Sequence, residues 1–233
     1  MRLTENIARV QERIAAAALR SGHKPDSITL MAVTKTFPPE QIRQAHDAGI
    51  RVFGENRVQE FAGKFQALRD LSNAEWHMIG HLQTNKAAKA LELFGHIDSL
   101  DSLRLARKLN DVASQLNKRI SVLIEVNVGG EAVKSGVPPD SEELENLVNA
   151  APELPHLEFR GLMTVPPYSS DPEQSRPHFR RMRELFEQIA GRKLPGMKME
   201  VLSMGMSHDF EVAIEEGASC VRVGTAIFGD RPK

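Results

Sequence analysis

The feature that most constrains this chain is an alternation. Eight short apolar runs recur along it, and each is followed by a stretch with helical periodicity. The first run, Ile28 to Lys35, is nearly continuous and suits a strand buried on both faces. Arg51–Phe53, Trp76–Ile79, a weak Ile97–Ser99, a strong Ile120–Asn127, Leu157–Met163, Val201–Leu202 and Val221–Val223 follow. Between them lie amphipathic sets such as Val58, Phe61, Phe65 and Leu68, or Leu105, Leu109, Val112 and Leu116. Strict strand–helix alternation predicts a parallel sheet with helical crossovers. Eight units in this length favour closure into a (β/α)8 TIM barrel of the α/β class over an open doubly wound sheet. A further helix precedes the first strand, opened by Thr4, carrying Ile7, Val10, Ile14 and Ala18 on one face, and stopped by Gly22. No linker-like stretch divides the chain, so residues 1–233 read as one barrel domain.

Barrels of this kind place their chemistry at the C-terminal ends of the strands. Those ends present Lys35, Glu55-Asn56, His77, Ser99, Asn127, Met163, Ser203 and Arg222. The last two strands end in small residues. Gly205 and Ser207 make a turn in which Ser207 is a candidate helix N-cap, and Gly224-Thr225 opens into a short helix. The loops after the last two strands of such a barrel are the usual phosphate site, and a helix start attracts anions. Lys35 ends an apolar strand. It reads either as a solvated strand end or as an amine in a dry pocket able to form a Schiff base. A Schiff-base lysine facing a phosphate cradle suggests pyridoxal 5′-phosphate (PLP), with Arg222 as partner of the ring nitrogen. A guanidinium cannot accept a proton, so it would leave that nitrogen unprotonated and the ring a poor electron sink.

Composition narrows the classes. The net charge is −1, which favours neither nucleic acid nor an anionic membrane surface. No apolar run approaches the ~20 residues that span a bilayer. The single cysteine, Cys220, excludes an internal disulfide, and the N-terminus carries no apolar signal core; a cytoplasmic protein is expected. Cys220 reads as packing. His77 and His81 have the i, i+4 spacing of a metal pair, but Gly80 intervenes and His77 reads as strand, so no metal site is expected. No dinucleotide or P-loop glycine pattern occurs.

The chain resembles the PLP homeostasis proteins of the alanine racemase-like barrel class. The matching segments are Ala32-Val-Thr-Lys35, Phe53-Gly-Glu-Asn56 with Val58-Gln-Glu60, Trp76-His-Met-Ile-Gly80 with Leu82-Gln83 and Asn85-Lys86, Lys134-Ser-Gly-Val137, Gly161-Leu-Met-Thr164, Leu202-Ser-Met-Gly-Met-Ser207 with Asp209-Phe-Glu211, and Val221 to Gly229. The resemblance implies Lys35 as the Schiff-base lysine and Arg222 at the pyridine nitrogen. It further implies Ser203, Gly205, Gly224 and Thr225 around the phosphate, and Asn56, His77 and Met163 lining the pocket. Two positions depart from the pattern: Arg57 stands where a tyrosine is common, and the tail Asp230-Arg-Pro-Lys233 lacks a terminal tyrosine.

The implied function is a non-catalytic, monomeric PLP carrier. It would hold PLP as an internal aldimine and act in vitamin B6 and amino/keto acid balance, with amino acids and PLP-dependent apoenzymes as further partners. The alternative is an alanine racemase-type enzyme, which needs a second base opposite the lysine. The only tyrosine, Tyr168, lies in a Pro-Pro-Tyr-Ser-Ser loop and is not obviously placed for that role. A phosphate-metabolite barrel without PLP is the blander third reading.

Overall fold

A computed structural model describes residues 3–131 and 135–230. Lys134 of the Lys134–Val137 segment and the tail from Arg231 lie outside them. Eight parallel strands close into a barrel in sequence order: β1 (Thr29–Val33), β2 (Val52–Glu55), β3 (Glu75–Met78), β4 (His96–Leu100), β5 (Ile120–Glu125), β6 (Leu157–Met163), β7 (Met197–Ser203) and β8 (Cys220–Val223). β8 returns to β1 with Thr29 opposite Cys220 and Ala32 opposite Val223. The helices are α1 (Leu3–Arg20), α2 (Pro39–Asp47), α3 (Val58–Leu68), α4 (Ala87–Leu93), α5 (Leu103–Gln115), α6 (Glu142–Asn149), α7 (Arg176–Gly191), α8 (Phe210–Glu215) and α9 (Thr225–Phe228). The TIM-barrel expectation, with its extra N-terminal helix, holds.

Period-2 alternation divides the strand side chains between two environments. Ala32, Phe53, Trp76, Ile97, Val122 and Phe159 join the apolar layer between sheet and helices. Phe53 stacks on Trp76 with centroids 5.0 Å apart, and Phe61 of α3 packs on Trp76 at 4.7 Å. The alternate positions face the barrel interior, which mixes apolar residues such as Met31 with His77, Asp98, Glu125, Ser203 and Arg222.

Three strand and cap readings need correction. β2 does not stop at Gly54 but runs through it. A side chain there would meet Met31 Sδ at 2.8 Å and Ile79 Cδ1 at 2.9 Å, so glycine makes room inside the barrel. β7 begins at Met197, not Val201. Its first half alternates half-buried Met with exposed Lys198 and Glu200, a pattern too polar to stand out. Ser207 does not cap α8: the helix starts at Phe210, and Asp209 closes the turn by accepting from Met206 N at 2.7 Å.

The extra helix braces the far end of the chain. α1 packs on α8 and α9. Asn6 donates to the Ile227 carbonyl at 2.9 Å, and the Arg13 guanidinium pairs with both Glu211 oxygens at 3.2 and 3.0 Å.

Candidate cofactor site

Lys35 follows β1 with its side chain half-buried, and its neighbours fix the backbone on both sides. Behind the strand, Lys64 of α3 reaches the Thr34 carbonyl at 3.1 Å, Glu55 at 3.0 Å and Glu60 at 2.7 Å. Glu60 also accepts from Thr36 N at 2.6 Å, where the chain turns with φ 69°. Thr34 donates its hydroxyl to Glu55 at 2.8 Å. Glu55 is fully buried; burial raises its pKa, while Lys64 and Thr34 pull the other way. This clamp fixes residues 34 and 36, so the intervening Lys35 is aimed into the barrel mouth.

Five of the sequence-predicted residues line one cleft of about 350 Å³ at that mouth: Lys35, Asn56, Arg222, Gly224 and Thr225. Asn56 is set by Gly80, where a Cβ would lie 2.4 Å from the Asn56 carbonyl oxygen. Arg222 is 3% exposed. It donates to Ser203 Oγ and to the Thr164 carbonyl, each at 2.7 Å. Burial lowers its pKa, opposed by Asp98 and Glu125 among others, yet a guanidinium stays charged. A fixed, desolvated cation thus faces the cleft.

Four predicted residues lie elsewhere. Ser203 is buried beneath Arg222 and accepts its hydrogen bond, so its hydroxyl does not line the cleft. Gly205 serves packing: with φ 93°, a Cβ there would meet Ala213 Cβ at 2.5 Å, and its carbonyl accepts from Arg222 N. Met163 is fully buried. His77 sits deeper, with Nδ1 3.0 Å from Asp98. Burial lowers its pKa but Asp98 outweighs that, pushing it up to about 9. His77 and His81 do not meet; His81 pairs separately with Asp101 at 2.9 Å. Cys220 is buried, and burial pushes its thiol up to about 12, which fits packing.

Ser207 is the residue that sequence reasoning misplaced. It lines the cleft, and its hydroxyl accepts from Gly224 N at 3.2 Å and Ala226 N at 3.4 Å. The backbone N–H groups at the start of α9 therefore converge on an oxygen at the cleft wall, which is the arrangement a phosphate needs. Phe37 stacks on Phe228 at 4.7 Å and ties the loop after Lys35 to this cradle. Tyr168, read as a loop residue, stands at the rim, its ring 5.0 Å from that of His208, and it is 77% exposed. Lysine amine, buried cation, amide side chain and anion cradle on the ends of β1, β2 and β8 match the parts of a phosphorylated aldehyde cofactor. The residues present fit PLP.

Comparison with known proteins agrees. The chain belongs to the alanine racemase N-terminal domain family, whose model matches residues 2–232. Within it, relatives include pyridoxal phosphate homeostasis proteins. That of Aquifex aeolicus is 48% identical over 231 residues, 99% of each chain. That of Escherichia coli K12 is 42% identical, covering 98% of this chain and 97% of its own. Among solved structures, PipY of Synechococcus elongatus PCC7942 with PLP bound is 35% identical, with TM-score 0.83 over 98% of this chain and all of PipY. Alanine racemase of Clostridium difficile 630 shares the fold at 15% identity and TM-score 0.74, and the match covers 57% of that longer chain.

Proposed function

We propose that this protein is a PLP carrier acting in cytoplasmic vitamin B6 and amino/keto acid homeostasis, the whole chain forming one PLP-binding barrel. The observation that carries this reading is the convergence of Lys35, Arg222 and the Ser207–Gly224–Ala226 cradle on one cleft. When bound, the cofactor supplies an electrophilic aldehyde and an electron-withdrawing ring. Lys35 offers the amine, held in place by the Lys64 clamp. Thr225 and the N–H groups of residues 224 and 226 hold the phosphate, joined by Ser207. Arg222 would meet the ring nitrogen, and Asn56 would border the ring. Ser203 and Gly205 act through Arg222 by fixing its guanidinium and its backbone; Met163 and His77 shape the interior beneath.

Arg222 also argues against catalysis. A ring nitrogen beside a guanidinium stays unprotonated, so a carbanion at an amino acid's Cα gains little stabilisation. Tyr168 is the available phenol, but it lies exposed on a loop, whereas a proton-transfer group worth about 10²–10⁴ in rate must be held at the reacting atom. In this reading the protein acts as a monomer and exchanges PLP with amino acids and apoenzymes. The test is spectroscopic. Purified protein should absorb near ~420 nm, as internal aldimines do, and borohydride should fix the label to the Lys35 peptide. Added amino acids should shift the band without incorporating solvent deuterium at Cα over hours. Deuterium exchange that requires Lys35 and is lost in Tyr168→Phe would replace the carrier with a racemase-type enzyme.

A further inference from the structure

The end of β5 carries an acid that binding of PLP leaves without a task. Ile120, Val122 and Ile124 join the apolar layer between sheet and helices, so alternation turns Leu123 and Glu125 into the barrel. Glu125 is 8% exposed, and its Oε2 is buried with no hydrogen-bond partner among the described residues. Taking a carboxyl oxygen out of water without a partner costs free energy, and nothing in the packing offsets that. The backbone of Gly136 lies close against the side chain, where a Cβ would fall 3.2 Å from Glu125 Cγ.

The sheet order decides what this acid meets. In the closed barrel, β5 is four strands from β1 by either route, so it forms the opposite wall. Lys35 enters the cleft from the end of β1, beside Val33. An eight-stranded barrel is just wide enough for side chains from facing walls to fill it. An amine at Lys35 and a carboxyl at Glu125 therefore enter one space from two sides. Along the sheet, Glu125 pairs in register with Met163, and Met163 with Ser203, which accepts from Arg222 at 2.7 Å. The charges agree with this proximity. Burial, with Asp101 after β4 adding repulsion, pushes the Glu125 pKa up to about 7, while Arg222 of β8 and His81 after β3 oppose it. His81 is itself paired with Asp101 at 2.9 Å. A carboxyl so placed both takes and gives a proton near neutral pH, as a proton-transfer group must.

We propose that Glu125 is the proton-transfer residue for amine exchange at Lys35, acting on primary amines that enter as ammonium ions, amino acids among them; this rests on the PLP reading of the cleft. An ammonium has no lone pair and cannot attack. The Glu125 carboxylate takes one of its protons, and the freed nitrogen bonds to the cofactor carbon that Lys35 holds. The bond from that carbon to Lys35 Nζ breaks. The hydrogens that the incoming nitrogen gives up pass through the Glu125 carboxyl to the departing lysine, which leaves as an ammonium. Protons and charge balance, nothing is oxidised or reduced, and Cα keeps its hydrogen. The weak electron sink beside Arg222 is therefore no obstacle to this step.

The test follows exchange with L-alanine in the full chain by stopped-flow absorbance at the band near ~420 nm. Wild-type rates should rise with pH around neutrality, then level off while alanine remains an ammonium. Glu125→Gln keeps the shape of the side chain, and the band reports that it is folded and loaded. Its exchange should be slower by about 10²–10⁴-fold, and the residual rate should climb about tenfold per pH unit, following free amine alone. Glu125→Asp should regain part of the rate and the levelling. A second readout needs no cofactor: carboxyl NMR of the cofactor-free protein should show one glutamate titrating near neutral pH, missing in Glu125→Gln. Equal rates and pH profiles in wild type and Glu125→Gln would overturn the proposal, as would a Glu125 resonance that titrates with the exposed glutamates. Loss of the band in Glu125→Gln would overturn it by making the carboxyl a binding group. Deuterium entry at Cα that this variant abolishes would overturn it by making Glu125 a racemase base. Absence of the band in wild type is a separate outcome, which would remove the PLP reading and this proposal with it.

Discussion

At the mouth of the barrel, the functional groups come from the ends of β1, β2 and β8 and from the loop after β7, and they face a cleft. At the floor, those of β3, β4, β6 and β7 face one another. The groups differ in how they are supported. Lys35 is held by its backbone neighbours, through a buried clamp outside the barrel. Arg222 is held by two hydrogen bonds from its terminal nitrogens. Those two bonds use only part of the guanidinium's five N–H donors. Floor residues are held mostly by one another, His77 by Asp98 and Arg160 by Glu200. Glu125 stands between these regimes. It ends β5, is 8% exposed, and its Oε2 has no hydrogen-bond partner among the described residues. Burial, with Asp101 adding repulsion, pushes its pKa up to about 7. Preorganisation for a ligand therefore rests on groups outside the cleft, and its cost appears as buried charge near it.

The sharpest separation of the two ends comes from Lys35→Ala. The absorbance band and the borohydride label should vanish completely, while the thermal midpoint of the cofactor-free protein stays close to wild type. Label moving to Lys86 or Lys134 would misplace the site. Lys64→Met breaks the clamp and leaves Glu55 buried without its cation. Removing one partner of a buried pair typically costs about 3–5 kcal/mol, so a large drop in the urea midpoint is expected, together with a weakened PLP band. A band of full strength would show that Lys35 does not depend on the clamp.

Glu125 yields a pH signature. Its folded pKa, about 7, lies above the ordinary 4.5. Below pH 4.5 both folded and unfolded states hold the proton and no penalty arises. As pH rises towards 7 the unfolded chain ionises first, so stability falls, by roughly 3 kcal/mol once both states are ionised. Glu125→Gln mimics the protonated acid. Denaturation curves should show it more stable than wild type at pH 8 and close to it at pH 4; equal curves at both would mean that the carboxylate is solvated. The smallest effect belongs to the cradle. Thr225→Val removes one hydroxyl donor to a charged group, worth about 1.5 kcal/mol or more. PLP should bind about tenfold more weakly, and pyridoxal, without the phosphate, almost unchanged. Equal losses for both would place Thr225 against the ring.

The site was only partly legible in the sequence. Lys35, Arg222 and Gly224-Thr225 could be singled out because each breaks an apolar strand at the end where such barrels act. Ser207 was visible as a turn residue, but a serine before a helical stretch reads equally as a cap. Only the approach of β8 to the β7 loop turns its hydroxyl towards Gly224 and Ala226. The clamp around Lys35 was hidden because Lys64 occupies an α3 position that looks like any solvated helix charge. Its burial depends on Glu55 standing opposite, nine residues earlier on a strand read as ending too soon.

What the sequence determined by itself was the period of its hydrophobic pattern, and with it eight strands, their helices and their order. Those are local properties, set by alternation within a strand and by caps and glycines at element ends. Which strand ends became neighbours, that β8 closes against β1, and that His77 meets His96 and Asp98 and not His81 were decided by the closed sheet. Register between strands carries no signature in either strand alone. It is set when the whole interior packs, and it is register that brings a lysine, an arginine and a serine from far-apart segments to one mouth.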